Sequence, residues 1–234
     1  MADPVFLLLS EDSSTRRVEV WSALLKRSFL VLVPETQTQR LRFLPENEPQ
    51  FRHMLSANRW KGSRLGCVDL ANMIARHLNQ GEHHFVLLHV DGDQPWPNRK
   101  KSENIEKLCT MLLPMVDKVV SAQARSRLLL ALPHYSIEAW LYQNIDHIES
   151  IAPSHPQRET LLALAAAWRA DRPRLDALER PKDLCPLGDS ANHNLATRSW
   201  PARETYAAGS SYAASLDAWR ECADLRVALQ ATTA

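Results

Sequence analysis

Two carboxylates, Asp91 and Asp93, close the stretch His83–Asp93, HHFVLLHVDGD, with Gly92 between them. In an extended chain, residues i and i+2 point the same way. If the strand conformation runs past Val90, both acids therefore face one side. Gly92 carries no side chain, so a ligand or another backbone can come close. Two carboxylates this near repel one another, and a cation between them relieves the repulsion. Hard oxygen donors suit Mg²⁺ or Mn²⁺, and Mg²⁺ usually takes one or two carboxylates together with waters and phosphate oxygens. The same tripeptide is also an ordinary polar turn, so the question is what ends the neighbouring strands.

Positioning these acids is the task of the preceding apolar run, Phe85–Val90, which suits a strand buried on both faces. Val5–Leu9 (VFLLL) reads the same way and leads into Glu11 and Asp12. Arg127–Leu132 (RLLLAL) is stopped by Pro133, and Glu138 follows in the first turn of the next helix. A further strand is expected at Phe29–Val33, and short ones at Leu41–Leu44 and Val119–Val120. Helices are expected from about Thr15 to Lys26, over Ser63–Leu78, over Ser102–Met115, from about His134, over Gln157–Ala170, and over Tyr212–Leu229. Strands alternating with helices make this an α/β chain with a mostly parallel sheet flanked by helices. Residues 1–150 read as the sheet domain, with an insertion at about 35–61. Residues 151–234 read as a helical extension packed on it, irregular over Arg172–Pro201.

In a parallel sheet, ligands bind beyond the carboxyl ends of the strands. Three acidic strand ends on one edge would form a cluster suited to metal-assisted phosphoryl transfer. Arg99, Lys100 and Lys101, on the loop after Asp93, and Arg16 and Arg17, on the first helix, are the cations expected to hold a phosphate backbone. As part of a solvated loop, the first three would need no such role. Glu138 would equally suit a helix N-terminus through the dipole alone.

Composition narrows the classes. The 234 residues carry 28 Lys and Arg against 27 Asp and Glu, a formal charge of +1, so any phosphate binding is local and not the work of a global basic field. Val5–Leu9 is too short for a signal peptide or a membrane span. Cys67, Cys109, Cys185 and Cys222 are far apart. They form no paired ligand motif, which fits reduced thiols and a cytoplasmic protein. Trp60-Lys61-Gly62-Ser63 lacks the order of a Walker A loop. His83, His84 and His89 flank the third strand as core or surface residues, and Asn192-His193-Asn194 is a candidate acid or base in an irregular region. Trp96, in the loop after the acids, is placed to stack on a base or simply to pack.

LLLSEDSST at Leu7–Thr15, LLHVDGD at Leu87–Asp93 and SIEAWLYQN at Ser136–Asn144 together resemble the toprim domain, in particular small toprim proteins related to RloB and the nuclease half of the OLD family. ERPKDL at Glu179–Leu184 and the late helix at Tyr212 extend the resemblance over most of the chain. It implies a Rossmann-like, toprim-like fold and a Mg²⁺- or Mn²⁺-dependent nuclease acting on DNA or RNA. Such proteins often occur in phage-defence or mobile-element settings, often beside an ATPase. Nucleic acid is then the expected partner, with an ATPase and a second copy of the chain as further candidates. By the same resemblance Glu11 is a general acid/base or metal ligand, Asp91 and Asp93 bind metal, Glu138 completes the site, and Lys182 contacts phosphate. The usual Glu-Gly of that family is Glu11-Asp12 here, which leaves the metal geometry open. A module that has lost activity and only binds nucleic acid or an ATPase is the alternative. A receiver-like phosphoacceptor domain fits less well with the long C-terminal extension and Glu138.

Overall fold

The computed structural model describes residues 3–10, 15–49, 54, 59–80, 83–93, 103–172, 175, 188–200 and 210–233. Strand β1 (Val5–Ser10) is central, and helix α1 (Thr15–Leu32) returns the chain to the edge strand β2 (Arg42–Pro45). Two helices, α2 (Arg59–Gly62) and α3 (Arg64–Gln80), lead to β3 (Phe85–His89). Next come α4 (Glu103–Lys107), a π-helical turn (Leu108–Leu112), α5 (Leu113–Val119), α6 (Ala122–Arg125) and β4 (Leu128–Ala131). The sheet has the order β2-β1-β3-β4, and every pairing is parallel. This is a Rossmann-like α/β fold with a helical C-terminal part.

Alternation along the strands builds two cores, one on each face. Phe6, Leu8, Phe85, Leu87, Leu129 and Ala131 pack with α1 and the C-terminal helices. Leu7, Leu9, Val86, Leu88 and Leu128 pack with α3, the π turn and α5. Burial on both faces explains why these strands read as continuous apolar runs. After β4 the chain forms α7 (Ile137–Leu141), α8 (Ile148–Ile151), α9 (Arg158–Ala170), α10 (Gly188–Thr197), α11 (Ser211–Glu221) and α12 (Ala223–Gln230). The Trp219 indole on α11 donates to the Leu130 carbonyl of β4 at 2.9 Å, and Trp140 Nε1 donates to Ser211 Oγ at 2.8 Å.

Several elements depart from the sequence reading. Phe29–Leu32 is not a strand but the last turn of α1. Its apolar run is short, and such a run does not distinguish a buried helix from a strand. Phe29 is fully buried, with its ring 5.2 Å from Phe6 and 5.9 Å from Trp219. The second strand is therefore β2, close to the short strand expected at Leu41–Leu44 within the segment taken as an insertion. Val119 ends a helix and Val120 is its extended C-cap, so no strand forms there. Within the stretch read as irregular, Gly188–Thr197 is helical. The final helix is two, broken at Cys222, whose backbone is extended.

Candidate functional site

The sheet order β2-β1-β3-β4 sends the connection after β1 to one edge and the connection after β3 to the other. In open parallel sheets that switch point opens the ligand crevice at the carboxyl ends of the strands. Ser10 ends β1 and His89 ends β3, and they are paired in register. Ser10 Oγ and His89 Nδ1 lie 2.9 Å apart, and His89 Nε2 lies 2.8 Å from Asp91 Oδ1. With Asp91 as a carboxylate, Nε2 must donate to it, and the Ser10 hydroxyl, which can donate or accept, meets Nδ1. His89 is buried, and the Trp21 ring of α1 covers it at 4.4 Å between centroids. The imidazole therefore fixes the direction of the Asp91 carboxylate.

Beyond β3 the chain keeps to β4. Val90 N–H donates to the Ala131 carbonyl and Gly92 N–H to that of Pro133. A Cβ built on Gly92 would lie 2.2 Å from the His134 oxygen. The close approach that glycine allows is thus made by backbone. Asp93 N–H donates to the Tyr135 carbonyl. Two successive N–H groups turned to the same neighbour end the strand alternation, and Asp93 has φ 51°, outside the extended region. The condition for both acids to share one strand face is therefore not met. They remain within each other's field all the same. Burial pushes the Asp93 carboxyl up from its ordinary value and the Asp91 charge pushes it further, against the pull of Asn104, Lys61 and His89. The Asn104 amide, on α4, donates to the Asp91 carbonyl and to Asp93 Oδ2, both at 2.9 Å.

Glu138 is the second residue of α7 and lies three residues after Tyr135, whose carbonyl accepts the Asp93 N–H. It is 6 % exposed, and Ser136 Oγ donates to its Oε2 at 2.6 Å. Ser136 stands at the N-cap but makes no side-chain cap bond. Its hydroxyl orients the glutamate instead.

Of the expected site residues, Asp91, Asp93 and Glu138 are brought to adjoining strand ends. Glu11, Asp12, Trp96, Arg99, Lys100, Lys101 and Lys182 lie outside the described residues, as do the side chains of Arg16 and Arg17. His193 is exposed on α10 and lines a groove of about 430 Å³ with Glu19, Ser22, Lys26 and Arg27 of α1; of the described site carboxylates, none lines it. Three residues at the acids have no such role in the sequence reading, which takes His89 as a core or surface residue and names Lys61 only in a stretch without Walker A order. His89 was legible in principle, because it stands at i−2 from Asp91. Asn104 and Lys61 had no such signal, being brought in from separate helices.

A divalent cation is what the toprim resemblance implies here. The donors at the Asp91–Asp93 segment are hard carboxylate oxygens oriented by His89 and Asn104, and the like charges raise the cost of ionising both. That donor chemistry fits Mg²⁺ or Mn²⁺. Among the described residues, no three His, Cys, Asp or Glu side chains form a group that could hold a metal ion. Also among these residues, no helix is long and apolar enough to cross a membrane. Comparison of the chain with protein-family models, with curated proteins and with solved structures gives no match.

Proposed function

We propose that the chain is a divalent-metal-dependent nuclease that hydrolyses phosphodiester bonds of DNA or RNA. The observation that carries this reading is the meeting of Asp91 and Asp93 with the start of the Glu138 helix at the ends of two adjacent parallel strands, beside the switch point between β1 and β3. Asp91 and Asp93 would hold the cation, with Glu11 as a further ligand or general acid/base. A bound divalent cation supplies Lewis-acid polarisation of the phosphate oxygens and stabilises the charge that builds there. His89 holds Asp91 in one orientation, and Asn104 does the same for Asp93. Glu138, buried and oriented by Ser136, would complete the acidic set. Arg99, Lys100, Lys101 and Lys182 would carry the substrate backbone. A phage-defence or mobile-element setting, a cytoplasmic location and an ATPase partner belong to the same proposal.

The test uses supercoiled plasmid and structured RNA with Mg²⁺, Mn²⁺ or EDTA. Metal-dependent cutting should fall about a hundredfold or more in Asp91→Ala and in Glu138→Ala, with the melting transition retained. Undiminished cutting in both variants would refute this site. A second reading, a module that binds nucleic acid or an ATPase without turnover, is favoured by one observation. Asp91 and Asp93 each already have a hydrogen-bond partner within the protein. Binding of the RNA or plasmid with no cutting under any metal would select it.

A further inference from the structure

The groove that His193 lines is built by three elements, with α1 and α10 meeting over the edge strand β2. Its volume of about 430 Å³ falls within the range of small-ligand sites, about 300–1,000 Å³. Charge divides it along α1. Glu19 lines one part, and Lys26 lies seven residues on, two turns along the same helix face. That separation is about 10 Å along the axis at the rise of an α-helix. Arg27 adjoins Lys26, and His193 enters the same groove from α10. Among the described residues, none of the Glu19, Lys26 and Arg27 side chains is ion-paired or hydrogen-bonded. Ser22 and Thr197 give their hydroxyl protons to the Val18 and Asn194 carbonyls, at 2.7 and 2.9 Å. Recognition of an anion therefore falls to the cations and the imidazole. The apolar part of the wall includes Ala23 and the ring of Phe43, which is held by stacking on Phe6 at 5.0 Å and on Phe29 at 6.2 Å.

We propose that this groove binds a nucleoside monophosphate. Lys26, Arg27 and His193 take the phosphate, the base lies against Phe43, and hydroxyl or amino donors of the sugar or base turn to Glu19. Each part follows from chemistry. Guanidinium and ammonium groups are the usual phosphate binders. An aromatic ring fixed in place offers a surface for a planar base. An ionised carboxylate only accepts hydrogen bonds, so it selects a ligand end that donates. A span of two helical turns between the opposite charges suits one nucleotide unit. The site is separate from the acid pair, since Asp91, Asp93 and Glu138 do not line it, and it stands whether or not the chain cuts nucleic acid. A free nucleotide and the phosphorylated end of a strand offer the same chemistry.

The experiment is a calorimetric titration of the full chain with adenosine monophosphate, in EDTA to keep divalent cations from the acids. The wild type should bind, and Asp91→Asn should bind equally well. Lys26→Gln should weaken binding about tenfold, and Lys26→Gln with Arg27→Gln about a hundredfold. Adenosine, which lacks the phosphate, and inorganic phosphate, which lacks the rest, should each bind at least about tenfold more weakly than the nucleotide. No binding by the wild type, undiminished binding by the double variant, or inorganic phosphate as tight as the nucleotide overturns the proposal. Should the double variant not fold, the unmodified protein still decides. The nucleotide should shift the ring proton resonances of His193 and leave those of His89 in place, and an unmoved His193 overturns the site. A 5′-phosphorylated oligonucleotide titrated alongside separates the two sources: tighter binding than the mononucleotide assigns the groove to a strand end, and weaker binding to the free nucleotide.

Discussion

His89 shows how one side chain ties two strand ends to a candidate site. It spans Ser10 and Asp91 with its two ring nitrogens while Trp21 seals it from water. His89→Ala leaves a cavity under Trp21 and removes a partner from each of two polar groups. The loss should be about 2–4 kcal/mol of unfolding free energy, read by urea titration. Partners that orient metal-binding carboxylates typically matter about 10–100-fold for metal affinity. The Mn²⁺ affinity of His89→Ala should therefore drop within that range, read by calorimetric titration. An unchanged affinity would mean that Asp91 does not need the imidazole to hold its orientation. At this scale Asp91, Asp93 and Glu138 were legible because acids just past apolar runs mark strand ends. Asn104 and Lys61 were not, because nothing local in the sequence ties either of them to the acid pair.

Among the elements, the edge strand β2 is secured to α3 by a second buried acid. Glu46 follows β2, and its Oε2 lies 2.7 Å from His77 Nε2, with both side chains under a tenth exposed. Its Oε1 accepts the Glu48 N–H at 2.8 Å, and Arg76 pairs with Glu48. Burial by itself would raise the Glu46 carboxyl, but the His77 and backbone hydrogen bonds outweigh it and hold the group below its ordinary value of 4.5. A carboxyl lowered in the folded state stabilises the fold above its unfolded pKa, and that contribution is lost as pH falls through the folded value. Stability should therefore decline on acidification below about pH 4.5, and Glu46→Gln should flatten that limb in thermal melts taken across the range. A variant with the wild-type acid limb would show that the pair does not couple β2 to α3. The same scale explains the misread strand. Phe29–Val33 has the apolar composition of a strand, yet α1 already supplies i→i−4 bonding up to Val33 N–H on the Phe29 carbonyl at 2.8 Å. The ring of Phe29 finds its place between Phe6 of the sheet and Trp219 of α11.

Across the molecule, the C-terminal helices complete one of the two cores. Tyr212, Leu216, Trp219, Leu225 and Leu229 belong to the same buried cluster as Phe6, Trp21, Phe29 and Trp140. The Tyr212 hydroxyl lies 2.8 Å from Ser28 Oγ of α1, and burial pushes that phenol well above its ordinary range. A chain ending at Ser210 would uncover the outer face of α1 and of β4 and strip Trp140 of its Ser211 partner. Uncovering several large apolar side chains costs about 1.5–3 kcal/mol each, more than the margin of a typical domain. That truncation should lack a cooperative melt by circular dichroism. A cooperative melt near the wild-type temperature would show that the sheet and its first helices stand alone.

The sequence by itself determined the alternation of strands and helices, the three main strands, and the position of carboxylates just past two of them. These follow from runs of apolar residues and from the acids that end them, which are local properties. Only the tertiary structure decided which strand sits at the centre, that Asp93 turns out of the strand, and that His89, Asn104 and Lys61 join the acids. Each of those depends on groups far apart in the chain meeting at one edge, where charge and hydrogen bonding, and not local periodicity, fix the arrangement.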